Sequence, residues 1–153
     1  MPNIFVHLPH DAYTGSGRQT LTQAITDAAC AAEQIPPQAQ HRFWCWVLLE
    51  DMMPHSLHCG GRDVSTQMLQ CIVRVVYPAG VLDATMKQAY IAGLHNAFEK
   101  SRPEQERRKL ALSVILDEVP EGHWGVNGRV WRLPDFAKEA GFMHLQHLSK
   151  PIE

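Results

Sequence analysis

The sequence has no long hydrophobic run, and nowhere do apolar residues approach the roughly 20 that a membrane helix needs. Basic residues are not in excess: 14 Lys and Arg stand against 16 Asp and Glu, for a net charge of -2. No basic field is therefore available to attract a nucleic-acid backbone. The four cysteines form no CxxC pair and no regular spacing, which argues against a disulfide framework. The first residues lack the basic and apolar stretches of a signal peptide. We expect a cytoplasmic protein with reduced thiols that binds neither nucleic acid nor membrane.

The composition is that of a folded globular protein. Of 153 residues, 45% are hydrophobic and 20% are charged, as in ordinary soluble domains. This length can bury one core, and it predicts a single domain spanning 1–153.

The first half of the chain shows a strand, a helix and a second strand. Strand-forming residues occupy 3–8 and end at Pro9. Apolar residues then recur at helical spacing, with Thr14 or Ser16 as the predicted N-cap. Pro36 and Pro37 stop this helix, because proline removes a hydrogen-bond donor. The aromatic and apolar run 42–50 predicts the second strand.

The second half repeats this order. Residues 70–77 predict a strand, and Asp83 is placed to cap a helix. Residues 110–119 predict another strand, after a charged linker. Pro134 and Gly141 suit the start and end of a short helix over 133–142.

Two β-α-β units therefore follow one another, over about 2–66 and 70–153. Parallel strands joined by a helix need a right-handed crossover, and two such units can share one sheet. We predict an α/β (α+β) fold: a four-stranded mixed sheet with two long helices on one face.

Two features resemble a known family. The chain begins Met1-Pro2 directly before a strand, and the second unit ends in EVPEGHWGVNG over 118–128. Residues 49–61 carry a diverged version of the same segment. Together these resemble the tautomerase superfamily, the group of 4-oxalocrotonate tautomerase and macrophage migration inhibitory factor, in the form of a fused pair of short units.

The resemblance implies a function and an assembly. It implies a cofactor-independent tautomerase or isomerase that acts on a small enol or 2-keto acid, with an N-terminal proline as the general base. It also implies a homotrimer. Four tryptophans are more aromatic surface than a monomer of this size normally hides, and they favour the same assembly: Trp44, Trp46, Trp124 and Trp131.

The chemistry of Pro2 can also be derived from general principles. Methionine before proline is normally removed, which leaves a secondary amine at the terminus. The reference pKa of an α-amino group is near 8, and burial lowers it. A base with a pKa near the working pH is effective, and the proline ring fixes the direction of its nitrogen. If Met1 is retained, that nitrogen is an amide and cannot act as a base.

The family's carboxylate-binding arginines are absent. Their positions fall near Tyr13 and Val81, and near Trp46 and Ser113. A substrate with two carboxylates is therefore not expected. The residues of the dehalogenase and decarboxylase branches are missing as well.

Three residues remain as candidate substrate-binding groups. Arg74 could hold one carboxylate or carbonyl, or it could be a surface or interface residue. Trp124 occupies the family's aromatic position, where its ring would wall the pocket and keep the pKa of the proline low. Tyr13 could supply a hydroxyl where the family has an arginine, or it could be a turn residue.

Other chemistry has weaker support. His55, His58 and Cys59 are three possible zinc ligands without a fourth at a familiar spacing, so we expect no metal and no cofactor. Cys30 and Cys45 lie in apolar segments, where burial makes a thiol inert.

Two other functions stay open. The lost arginines favour a non-catalytic trimeric protein with the tautomerase fold, acting as a scaffold or binding module. A hydratase or dehalogenase with a protonated Pro2 would need water-activating residues that the sequence does not reveal.

Overall fold

A four-stranded sheet lies at the centre of the computed structural model, which describes residues 1–149; its strand order is β2-β1-β5-β6. The elements in chain order are β1 (Asn3–Pro9), α1 (Ser16–Ala32), α2 (Ala39–Arg42), β2 (Trp46–Met52), β3 (His58–Cys59), β4 (Arg62–Asp63), β5 (Met68–Pro78), α3 (Ala84–Lys100), β6 (Lys109–Val119), β7 (Trp124–Val126), β8 (Arg129–Trp131), α4 (Leu133–Ala140) and a 3₁₀ helix (Met143–Leu148).

The sheet is mixed, as predicted. β1 pairs with β2 in parallel, β5 pairs with β6 in parallel, and the two halves join through antiparallel β1 and β5. Helices α1 and α3 have 17 residues each and pack against one another over one face. The predicted fold class is confirmed.

Alternation along the strands separates the two faces of the sheet. Ile4, Val6 and Leu8 of β1 are buried beneath the helices, and the residues between them face the other way. That second face is open in the single chain. It leaves large apolar side chains about half exposed, namely Trp46 (48%), Leu48 (50%) and Ile115 (49%).

Two local predictions were wrong. The second strand begins at Trp46 and not at residue 42, because residues 39–42 form the short helix α2 and Cys45 precedes the strand. The N-cap of α1 is Gly15, and no side chain caps this helix. The cap of α3 is confirmed, since the Met86 N–H donates to Asp83 Oδ1 at 2.8 Å.

Two short hairpins follow the two units. The hairpin of β3 and β4 is fully exposed. The hairpin of β7 and β8 is partly buried and leads into α4, which Gly141 ends in a left-handed conformation (φ 69°). Within residues 1–149, no helix is long and apolar enough to cross a membrane.

Candidate active site

The N-terminus of the chain is buried, so β1 begins inside the protein. Met1 is only 1% exposed, and Pro2 is buried. The Trp46 N–H donates to the Pro2 carbonyl at 3.0 Å, so the beginnings of β1 and β2 lie side by side. The Pro2 nitrogen, which is the predicted general base, therefore lies in the interior.

A buried carboxylate faces this terminus. Glu33 is 0% exposed, and its Oε2 lies 3.3 Å from the terminal amine of Met1. The Tyr90 hydroxyl donates to its other oxygen, Oε1, at 3.0 Å. We call the terminal amine, Glu33 and Tyr90 the terminal cluster. It joins the start of β1, the end of α1 and the first half of α3.

Burial controls the acid-base behaviour of the terminal cluster. It raises the pKa of Glu33, and the nearby ammonium only partly opposes this. Burial lowers the pKa of the terminal amine, and the Glu33 charge partly opposes that shift. It also raises the pKa of Tyr90. The amine and the carboxyl thus both favour their uncharged forms more than they would in water, which is a property of proton-transfer sites.

Other ionisable groups border the terminal cluster. Interaction with the neighbouring Cys30 thiol, together with burial, raises the pKa of the Cys45 thiol. The 3₁₀ helix covers the other side, where the Met143 N–H donates to the Gln34 carbonyl at 2.9 Å. His144 of the same helix is close enough to Glu33 to act on its pKa, in the lowering direction. The 3₁₀ helix therefore lies against this side of the terminal cluster.

Trp124 belongs to an aromatic cluster near this end of the sheet. Its ring lies 5.3 Å from that of Phe136, which lies 5.3 Å from Trp131. Trp131 in turn lies 5.1 Å from Trp44, two residues before the Pro2 partner Trp46. Trp124 is thus connected to the Pro2 region through three other rings.

Tyr13 and Arg74 lie elsewhere in the single chain. Tyr13 is fully buried past the far end of β1, where its hydroxyl donates to the Phe98 carbonyl at 2.9 Å. Arg74 is exposed on the open face of the sheet, and its Nε donates to Asp117 at 2.9 Å. One chain therefore does not bring these two side chains to Pro2, and their roles in substrate binding stay predictions.

The sequence analysis missed Glu33. A signal for it exists: Leu21, Ile25 and Ala29 are buried at intervals of four, and Glu33 is the next residue in that series. A carboxylate on the buried face of an apolar helix needs a partner inside the protein. Tyr90 lies on the buried face of α3, and its polar contact with Glu33 was missed as well.

The larger cavities lie away from the terminal cluster. One of about 750 Å³ opens at the far end of β1, among residues that include His10, Tyr13 and Arg108. Another of about 590 Å³ lies between α3 and β6. The space at the terminal cluster is filled by Met1 itself. Among residues 1–149, no three His, Cys, Asp or Glu side chains are grouped to hold a metal ion.

Comparison with known structures identifies the fold. No protein-family model and no curated protein matches the sequence. Among solved structures, the F6 fused 4-OT asymmetric trimer is similar, with a TM-score of 0.67 and 22% identity over 84% of this chain and 94% of that one. The chain has the tautomerase fold.

Two further structures extend this likeness. Native RhCC from Rhodococcus jostii RHA1 matches with a TM-score of 0.67 and 20% identity, and 99% of each chain is covered. Pt0534 inactivated by 2-oxo-3-pentynoate matches with a TM-score of 0.67 and 16% identity, over 84% of this chain and 94% of that one. The arrangement fits a fused, two-unit form of the tautomerase fold.

Proposed function

We propose that this protein is a cofactor-independent tautomerase that converts a small enol or 2-keto acid, with Pro2 as the general base once Met1 has been removed. The observation that carries the proposal is the placement of the chain terminus inside the protein, 3.3 Å from a buried carboxylate. Burial lowers the pKa of the terminal amine at that place, which favours the neutral form that a base needs.

The proposed reaction is an intramolecular proton transfer. The Pro2 nitrogen takes a proton from one position of the substrate, and the proton returns at another position. The rigid ring and the pairing of the Pro2 carbonyl with Trp46 hold the nitrogen in place. Trp124 and its aromatic neighbours would make the surroundings of the Pro2 nitrogen apolar. The missing arginines favour a substrate with at most one carboxylate.

The test combines an intact-mass measurement, an activity assay and covalent labelling of the terminal amine. Intact mass shows whether Met1 is absent, and phenylenolpyruvate reports enol-to-keto conversion. The electrophile 2-oxo-3-pentynoate, which inactivated the similar Pt0534, should add to a neutral secondary amine. We expect one adduct, on the peptide that begins with Pro2, and loss of activity in step with labelling. Pro2→Ala should retain a small residual activity.

The matched control keeps Met1. A variant with a bulky residue at position 2, such as Pro2→Leu, retains the methionine and has no terminal proline. It should be inactive and unlabelled at residue 2. Full activity of wild-type protein with a blocked N-terminus would contradict the role of Pro2.

A second candidate function is a non-catalytic scaffold with a retained Met1. The ion pair between the Met1 amine and Glu33 favours it, because the pair then serves only to anchor the terminus. Full-length mass with no labelling and no activity would support this alternative.

We also propose a homotrimer for either function. The fused 4-OT F6 protein is a trimer, and the half-exposed Trp46, Leu48 and Ile115 on the open sheet face need a cover. Light scattering should give three times the 17.3 kDa chain mass. A monomer at micromolar concentration would contradict it.

A further inference from the structure

The terminal cluster contains a carboxyl group and a phenol in addition to the amine. Glu33 is fully buried, and its carboxyl contacts the terminal amine and the Tyr90 hydroxyl. A buried carboxyl is costly to keep in a core. Once Met1 is gone, Glu33 loses its amine partner and faces the space that Met1 filled.

We propose that Glu33 is the second catalytic proton-transfer group of this site and that the keto-enol unit of the substrate binds in the space occupied by Met1, between the Pro2 nitrogen and the Glu33 carboxyl. This inference rests on the proposed function, because it needs the free Pro2 amine. Tyr90 is a positioning residue, since it holds the Glu33 carboxyl without facing Pro2 directly.

The dimensions of the space fit this assignment. The Pro2 nitrogen is one residue from the Met1 nitrogen, so it lies within about 7 Å of Glu33 Oε2. An α-carbon and its carbonyl oxygen are about 2.4 Å apart by ordinary bond lengths. With reacting contacts of about 3 Å on either side, a straight path would need about 8 Å, so the path through the substrate must be bent to fit this gap. The Pro2 amine can reach the α-carbon while Glu33 reaches the oxygen.

The Pro2 amine and the Glu33 carboxyl are sufficient to take up and supply every proton that the reaction moves. In the keto-to-enol direction, the Pro2 nitrogen takes the α-proton, and the C–H electron pair forms the C=C bond. The carbonyl π pair moves to oxygen, which takes the proton of the Glu33 carboxylic acid. This leaves an ammonium beside a carboxylate, the same charge pair that Met1 and Glu33 form. The reverse direction uses that ion pair, and the Pro2–Glu33 pair carries one proton in both cases.

Four groups face Glu33 and enter its titration: the terminal amine, Tyr90, His144 and the Cys30–Cys45 thiol pair. The Tyr90 hydrogen bond lowers the pKa of Glu33, so its loss moves that pKa upward. The amine and carboxyl titrate as a pair, with the singly protonated form active, which predicts a bell-shaped pH profile.

The experiment compares Glu33→Gln and Tyr90→Phe with wild type, and with the exposed-site control Glu104→Gln. Two quantities are measured against pH: the rate of Pro2 labelling by 2-oxo-3-pentynoate, and kcat and KM for phenylenolpyruvate. Glu33→Gln should lower kcat by about 10²- to 10⁴-fold, with KM within about 3-fold of wild type. Its labelling midpoint should move to lower pH, because the amine loses the carboxylate that stabilises its ammonium form.

Tyr90→Phe should move the acidic limb of the activity profile to higher pH, and Glu104→Gln should behave as wild type. An unchanged labelling midpoint in folded Glu33→Gln overturns this inference alone. A wild type that is labelled at Pro2 but converts no enol overturns the proposed function, and the two failures are distinct. If Glu33→Gln does not fold, an unshifted acidic limb in Tyr90→Phe overturns the inference.

Discussion

The two β-α-β units place different residues at equivalent helix ends. Helices α1 and α3 are both 17 residues long, and the residues that follow them are Glu33 and Ser101, both buried. Because β1 and β5 are antiparallel, these two ends lie at opposite ends of the sheet. One end therefore holds a carboxyl group beside an amine, and the other holds a hydroxyl.

The first end is also the one that contains the chain terminus. There the core includes an amine, a carboxyl and a phenol in contact. At the other end, Tyr13 bonds to the Phe98 carbonyl and no charged group enters the core among the described residues. The two units thus share a common framework, and among residues 1–149 only the first end brings an amine, a carboxyl and a phenol into contact. We expect one catalytic site per chain.

The largest expected effect on stability separates these two ends. Glu33→Ala leaves a buried amine without its carboxylate and the Tyr90 hydroxyl without its acceptor. We expect the free energy of unfolding to fall by about 3 kcal/mol. Ser101→Ala, its equivalent in the second unit, should cost about 1 kcal/mol or less. Urea denaturation of both variants measures the difference, and equal losses would contradict the comparison.

The pH dependence of stability sharpens the same contrast. Burial raises the pKa of Glu33 above its ordinary 4.5, so the folded chain holds a proton there that the unfolded chain has released. This contribution to stability is lost as the pH rises from about 4.5 through the folded pKa. Glu33→Gln has no such loss. Urea midpoints from pH 4 to 7 should therefore fall in wild type relative to Glu33→Gln, and parallel curves would be inconsistent with a buried, titrating Glu33.

A smaller effect is expected at the second end. Tyr13→Phe removes the hydrogen bond to the Phe98 carbonyl and should lower the free energy of unfolding by about 1 kcal/mol. Measuring KM of the same variant tests whether Tyr13 also binds substrate. A rise in KM would support that role, whereas a loss of stability at constant KM would assign Tyr13 to the core.

The smallest effect concerns the open sheet face. Arg74 and Asp117 are both exposed, so Arg74→Ala should change the free energy of unfolding by less than about 1 kcal/mol. If Arg74 binds a carboxylate, KM should rise for substrates with that group and stay constant for neutral ones. Kinetics with a matched acid and ester distinguish these results.

The fold could be predicted because its signals are periodic. Strand alternation in β1 and β5 and four-residue spacing in α1 and α3 reflect burial on one face, and such patterns are visible in one sequence. Helix α2 was missed because its four residues make barely one turn, which is too short for a periodic pattern to repeat. Its place follows from tertiary contacts, such as His41 Nδ1 against the Glu139 carbonyl at 2.8 Å.

The candidate site was only half predictable. Pro2 was predicted from its position in the chain and from a motif that resembles one of the tautomerase superfamily, and its role stays a prediction. Glu33 and Tyr90 are 57 residues apart, and their contact depends on the packing of α1 against α3. No local pattern encodes such a contact. A charged residue that continues a buried series indicates that a partner must exist, but it does not identify that partner.

The strand order also determines when the protein can assemble. β1 leaves the ribosome first, yet it is a central strand whose neighbours are β2 and β5, so one of its edges stays unpaired until residue 78 has been made. Tyr90 comes later still. Synthesis therefore leaves an edge of an apolar strand unpaired, and Glu33 without Tyr90, until about half of the chain has been made, and the nascent chain depends on contacts distant in sequence. The groups of the proposed catalytic site meet only when the second unit folds onto the first.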